Sequence, residues 1–135
     1  MALKIGNEEY AVDILAIKEI VRWTEITRVP KAPPFVIGVI NLRGNVIPVI
    51  DSHLRLNVSQ NEITAFTRTV IFQLEDIVVG FNVDQVIEVI SINDEQIEKS
   101  QLIAESDNKF IKGIGKIDDR LLMILDLHKI IDFNL

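Results

Sequence analysis

Four acidic pairs and two histidines are the side chains of this sequence best suited to chemistry. Glu8-Glu9, Glu75-Asp76, Asp94-Glu95 and Asp118-Asp119 could divide acid and base roles if their surroundings drove their pKa values apart. Each pair falls in a stretch that reads as a turn or surface loop, where water surrounds both carboxyls alike. His53 and His128 each stand two residues after an aspartate, in Asp51-Ser52-His53 and Asp126-Leu127-His128. Two histidines make half a metal site, but there is no cysteine and no second histidine at ligand spacing. They read as helix-start residues. Gly113-Ile114-Gly115-Lys116 lacks both the glycine spacing and the hydroxyl of a phosphate-binding loop. Ser52, Ser59, Ser91, Ser100 and Ser106 have no base partner and none lies in a nucleophile elbow. The expectation is a protein without catalytic residues, metal or cofactor.

The elements that carry these residues occur twice. The segment from Phe35 to His53 aligns without a gap to the segment from Phe110 to His128. Phe35/Phe110, Gly38/Gly113, Asp51/Asp126 and His53/His128 are identical, and aliphatic residues face each other at Val36/Ile111, Val39/Ile114, Leu42/Ile117, Ile47/Leu122 and Ile50/Leu125. A weaker match sets Val12-Asp13, Ile17 and Glu19-Ile20 against Val83-Asp84, Val86 and Glu88-Val89. Each half reads as strand, strand, loop, strand, turn, strand, short helix. Asn41 to Asn45 and Lys116 to Arg120 read as hairpin connections, with Gly44 and Asn45 suited to positive φ. Asp51 and Asp126 read as helix N-caps. Glu75-Asp76 reads as the turn of a hairpin between Val70–Leu74 and Ile77–Val83, and Asn93 to Lys109 as the longest loop, with one helical turn near Asp94 to Ile97.

Composition agrees with a β-rich chain. Ile and Val supply 37 of the 135 residues and Ala only 6; branching at Cβ suits a pleated surface better than a helix. A chain of this length buries roughly two-thirds of its unfolded surface and needs no covalent or metal staple. The net charge of −6 and 8 aromatic residues disfavour nucleic acid, whose phosphates call for a basic face. No apolar stretch is long enough to insert in a membrane. The expected location is the cytoplasm.

Gly38-Val39-Ile40-Asn41-Leu42-Arg43-Gly44-Asn45-Val46-Ile47-Pro48-Val49-Ile50-Asp51 resembles the hallmark segment of CheW-like domains. Ile5 to Ile14 is similar to that family's opening strand pair, Ile17-Lys18-Glu19-Ile20 with Ile26 to Pro30 to its next element, Val83 to Val89 to the second-lobe counterpart, and Leu125-Asp126 to the closing motif. The resemblance covers nearly the whole chain. It implies an all-β fold of two SH3-like five-stranded β-barrel lobes related by internal duplication, with short helices. Lobe 1 is expected over residues 12–68 and lobe 2 over 69–125, with the terminal segments crossing between them.

The resemblance also implies a role: a chemotaxis adapter coupling chemoreceptors to a histidine kinase. The partners are the regulatory domain of a CheA-type kinase, the cytoplasmic tips of chemoreceptors, and other CheW-like domains in rings. The chain would then be recruited from the cytoplasm to receptor arrays. A start at Met1 near the first strand and an end after the closing motif fit a free-standing member rather than a kinase domain or a CheV-type protein. An adapter of a twitching-motility pathway and a small-ligand-binding barrel are the alternatives. Two departures stand out: Ser52 where the family has an aliphatic residue, and a stretch around Glu98 to Gln101 without the prolines common there.

Residue roles follow from the same resemblance. Glu19 and Arg43 are expected to form a partly buried ion pair holding the Asn41–Asn45 hairpin against the strand of Ile17 to Ile20. Ile14, Ile17, Ile20, Val39 and Val86 are candidates for a groove between the lobes, into which an amphipathic helix of the receptor would lay its apolar face. Gly38 and Gly113 are expected at a bulge or a close backbone approach. Trp23 reads as a plug at the lobe junction or as an interface anchor.

Overall fold

The computed structural model describes residues 1–99 and 109–132. Strands are the main regular structure among the described residues: β1 (Ala2–Ile5), β2 (Glu8–Ala11), β3 (Ile17–Arg22), β4 (Val36–Leu42), β5 (Asn45–Asp51), β6 (Arg68–Leu74), β7 (Ile77–Val83), β8 (Gln85–Glu88), β9 (Ile97–Glu98), β10 (Ile111–Ile117) and β11 (Arg120–Leu125). Two short helices, α1 (Ser52–Leu56) and α2 (Leu127–Ile130), follow β5 and β11.

The strands form two sheets. One has five strands in the order β3-β6-β7-β5-β4, and the other six in the order β8-β1-β2-β11-β10-β9. Six strands occur where five were expected because Ile97 and Glu98 pair with Gly115 and Ile114 at the edge of β10. Among the described residues, ladder hydrogen bonds close neither sheet. In the five-stranded sheet, Thr27, beyond the edge strand β3, bridges to Val39 in the other edge strand β4, and their amides each donate to the other's carbonyl (2.9 and 2.7 Å).

The sheets share one plan. Each has a hairpin that ends in a helix (β4–β5 and β10–β11), a second hairpin beside it (β6–β7 and β1–β2), and a strand on the far side of that hairpin (β3 and β8). The hairpins join through a parallel contact in both: Val49 with Gly80 and Ile50 with Phe81, Met123 with Tyr10 and Ile124 with Ala11. Register breaks at the same place, between Val36 and Gly38 and between Ile111 and Gly113. The turns correspond too: Arg43 (φ 52°) and Asp118 (φ 53°) are both left-handed, as are Gly6 (φ 63°) and Glu75 (φ 55°). In the first turn the left-handed residues are Arg43 and Gly44 (φ 85°) rather than the expected Gly44 and Asn45. A two-residue type I′ turn needs positive φ at both central positions, and those are 43 and 44.

The division at 68/69 does not coincide with the division between sheets. β6 and β7, residues 68–83, lie with β3, β4 and β5, whereas the N-terminal β1 and β2 lie with β8, β10 and β11. The two halves of the sequence have exchanged hairpins. The exchange has an energetic correlate in the core. The main cluster takes Leu3, Ile5, Tyr10 and Val12 from one sheet and Ile50, Val70, Phe72, Val79, Phe81 and Val83 from the other. Smaller clusters lie within each sheet: Ile40, Ile47, Val49 and Ile71 in one, Ala2, Ala11 and Leu122 in the other. β6 therefore buries four successive residues, Thr69 to Phe72, because both its faces are covered. The edge strand β3 alternates half-buried and exposed. Full burial of each large aliphatic or aromatic side chain contributes about 1.5–3 kcal/mol. The shared core therefore makes the two sheets one unit.

Candidate functional site

The helices anchor the seam between the sheets. Asp51 caps α1 by accepting from the amides of His53 (2.8 Å) and Leu54 (3.3 Å), and Asp126 accepts from Lys129 in α2 (3.4 Å). The expected N-caps are therefore present. Between the helices lies Arg55, a residue that sequence reasoning passed over. Its guanidinium is 4.0 Å from the ring centroid of Phe35 and 4.7 Å from that of Phe110, the two phenylalanines paired by the repeat. Its nitrogens donate to the carbonyls of Ile130 (2.9 Å), Lys129 (3.2 Å) and Asp132 (3.4 Å). Arg55 thus closes the C-terminus of α2 while sandwiched between aromatic faces. The available signal was its partner in the alignment, the apolar Ile130.

Two crevices open along the seam, and the repeat relates them. The first, about 330 Å³, is lined by Trp23, Ile26, Ile37, Asp51, His53, Val83 and Asp84, among others. It is polar. The His53 ring is buried, with Nδ1 3.2 Å from Asp51 Oδ1 and Nε2 2.9 Å from Asp84 Oδ2. Asp84 Oδ2 also accepts from the Gly6 amide (2.6 Å) and Asn61 Nδ2 (3.1 Å). The bond to Asp51 does most to raise the His53 pKa; burial opposes it, and Asp84 raises it further. For Asp51, burial is the largest influence and would raise the pKa, yet the bonds from His53 and from the Leu54 amide outweigh it and the net shift is downward. Trp23, half-buried, stands at the wall of this crevice.

The second crevice, about 450 Å³, has aliphatic walls: Met1, Ala11, Val12, Ile14, Val89, Ile90, Ile92, Ile97, Ile124 and Leu125 line it, with Asp13, Lys112 and His128. His128 is exposed here, unlike its repeat partner. Ile14 and Val89 are 46% and 61% exposed, so apolar surface stands open to solvent. The two histidines thus share a helix-start position but not an environment. Among the described residues no group of three or more His, Cys, Asp or Glu side chains is arranged to hold a metal ion.

Glu19 and Arg43 do meet. Both guanidinium nitrogens Nη1 and Nη2 donate to the carboxylate, one at 2.8 Å. The pair ties the β4–β5 turn to β3, but the Arg43 side chain is 66% exposed and that of Glu19 25%. It is more solvated than the expected partly buried pair, because a two-residue turn projects Arg43 from the sheet's end. The other sheet has a counterpart built differently: Arg120 donates to Glu9 (2.6 and 3.2 Å) and to Glu88 (2.9 Å), and Glu88 is the repeat partner of Glu19.

The remaining candidates are dispersed. Of the proposed groove residues, only Ile14 lines the apolar crevice. Ile17 and Val86 pack against the main core. Ile20 is partly exposed on the edge strand β3, and Val39 is half-buried in β4 beside the Thr27 bridge. Gly38 and Gly113 both sit at a register shift and a close approach. A Cβ at Gly38 would fall 2.1 Å from the Thr27 carbonyl oxygen, and one at Gly113 2.9 Å from Ile97 Cγ2. Glu98 lies in β9 and Lys99 follows it; residues 100 and 101 of the proline-free stretch lie outside the described residues. No described helix is long and apolar enough to cross a membrane.

Two sheets sharing a core, charges committed to the seam and the turns, and an open aliphatic crevice define a β scaffold that offers contact surfaces. The chain belongs to the family of CheW-like domains, which matches residues 1–134. This is a family of non-catalytic chemotaxis scaffolds. The chain is 40% identical to the chemotaxis protein CheW of Bacillus subtilis over 95% of its own length and 83% of that protein. It is 39% identical to the chemotaxis protein CheW of Helicobacter pylori, over 94% and 77% of the two chains. The scaffolding protein CheW of Thermoanaerobacter tengcongensis superposes with a TM-score of 0.89 at 34% identity, covering 98% of this chain and 91% of that one.

Proposed function

We propose that this chain couples the cytoplasmic tips of chemoreceptors to the regulatory domain of a CheA-type histidine kinase, and that it works at membrane-associated receptor arrays. Each sheet acts as one SH3-like barrel lobe: both faces of β6 are buried and the Thr27–Val39 bridge draws the edges of the five-stranded sheet together, which supports that reading. The aliphatic crevice between the sheets carries the functional proposal. Its walls carry exposed aliphatic side chains, Ile14 and Val89 among them, as a groove for an amphipathic helix must. Ile14 lies in that groove. Glu19 and Arg43, with Ile20 at the adjacent edge, present a second contact to the kinase or to another CheW-like domain in a ring. Ile17, Val39, Val86, Gly38 and Gly113 act beneath these surfaces by setting their shape.

The test is co-purification with a CheA-type kinase, with and without a receptor cytoplasmic fragment. Ile14→Asp and Val89→Asp, both at exposed positions, are expected to lose receptor binding while melting temperature and kinase binding hold. Receptor binding unchanged in both variants would overturn the assignment of the groove.

A further inference from the structure

We propose that Asp51, His53 and Asp84 form a proton-dependent latch across the seam, closed when the His53 imidazole is cationic. The three residues come from elements that must stay in register for the sheets to share a core. Asp51 ends β5, His53 lies in α1, and Asp84 follows β7. Asp84 reaches the opposite sheet through the amide of Gly6 in the β1–β2 turn (2.6 Å). His53 is therefore the middle of a chain of contacts running from one sheet to the other.

Both ring nitrogens face carboxylate oxygens, at 3.2 and 2.9 Å. Only the imidazolium has a proton on each nitrogen; neutral histidine would turn a lone pair toward one of the two carboxylates. Glu25 and Glu62 line the same crevice, and no lysine or arginine does. Loss of the proton leaves four carboxylates around the space without a cation among the lining residues. The repeat sharpens the contrast. At the equivalent crevice His128 is exposed and Ala11 replaces Asn82, whose side chain accepts from the Ser52 amide (2.7 Å). One crevice is latched and its twin is open.

The sign follows from linkage. Folding raises the His53 pKa, so the latch stabilises fully below the free imidazole value of about 6.5 and its contribution is lost as pH rises through the folded midpoint. The Met1 ammonium titrates in the opposite sense, since burial lowers its pKa and folding then favours higher pH. Asp51, shifted downward, acts only in acid, below the window of interest. Comparison with a variant at position 53 cancels the Met1 contribution.

The experiment is an NMR titration of the full chain between pH 5.5 and 9, with the two histidine rings assigned through His128→Gln. The His53 ring is expected to titrate above about 6.5. The Gly6 amide, bonded to the same carboxylate oxygen, is expected to shift with the same midpoint and to exchange its proton about tenfold faster once His53 is neutral. Asp84→Asn keeps the shape of the acceptor and removes its charge, and is expected to lower the His53 midpoint. Wild type should lose melting temperature from pH 6 to pH 8 relative to His53→Gln. A His53 midpoint at or below 6.5, or a Gly6 amide indifferent to it, overturns the latch. If His53→Gln does not fold, the midpoint in Asp84→Asn decides, and an unchanged value also overturns it.

Discussion

A single methyl group at Gly38 is expected to disrupt the five-stranded sheet, and the size of the effect can be worked from three distances. The Cβ of Gly38→Ala would sit 2.1 Å from the Thr27 carbonyl oxygen, 2.7 Å from its carbonyl carbon and 2.8 Å from Ile26 Cγ2. The first two neighbours are backbone, so relief requires the 26–27 segment to retreat by about 1 Å or more from β4 to reach ordinary contact. That retreat breaks both amide bonds of the Thr27–Val39 bridge, now 2.9 and 2.7 Å. At about 1 kcal/mol for each bond, with residual strain added, the loss is roughly 2–3 kcal/mol. For a chain of this size that is about 10 °C in melting temperature. Gly113→Ala is the internal control. Its nearest neighbour, 2.9 Å away, is the Ile97 Cγ2 methyl, and the Glu98 carbonyl oxygen is at 3.3 Å, so a shift of a few tenths of an ångström relieves both. Its cost should be about 1 kcal/mol, smaller than that of Gly38→Ala. Gly44→Ala meets nothing within 4 Å but has φ +85°, so it reports left-handed strain alone, about 1–2 kcal/mol. Thermal and urea melts of the three variants provide the comparison. Equal losses in Gly38→Ala and Gly113→Ala would refute the reasoning from close backbone approach. The same geometry means that Gly38→Asp damages the fold and cannot by itself report on an interface.

Three further outcomes follow from the seam and the turns. Ser52 is fully buried with its Oγ unpartnered, so Ser52→Ala should raise stability by about 1 kcal/mol, and a lower urea midpoint would contradict this. Arg43→Ala removes a pair exposed at its arginine end, so its melting temperature should fall by no more than about 1 kcal/mol permits, while co-purification with the kinase reports any role in binding. Arg55→Leu loses two aromatic contacts and the bonds to the end of α2; a loss of about 2–4 kcal/mol is expected in urea melts, and a loss under 1 kcal/mol would show that Arg55 does not join the helices.

Local chemistry was legible in the sequence wherever a feature depends on neighbours in the chain. The β bias of Ile and Val, the Asp51 and Asp126 caps, the Glu75 turn and the doubled pattern from Phe35 to His53 and from Phe110 to His128 all recur in the structure. The motif that carries the family resemblance lies in β4 and β5, and the family match confirms it. Tertiary structure decided what periodicity cannot encode. An alternating strand fits any sheet that buries its apolar face, so nothing local tells β1 and β2 to join β11 rather than β3 to β5. The exchange of hairpins is settled only when Phe72, Phe81, Leu3 and Tyr10 meet in one core. For the same reason His53 and His128 look alike in sequence and differ in fact. What separates them is an aspartate: Asp84, 31 residues beyond His53, reaches Nε2 at 2.9 Å through the packing of β7 against β5, whereas its repeat partner Asp13 accepts from the Leu15 amide (3.0 Å).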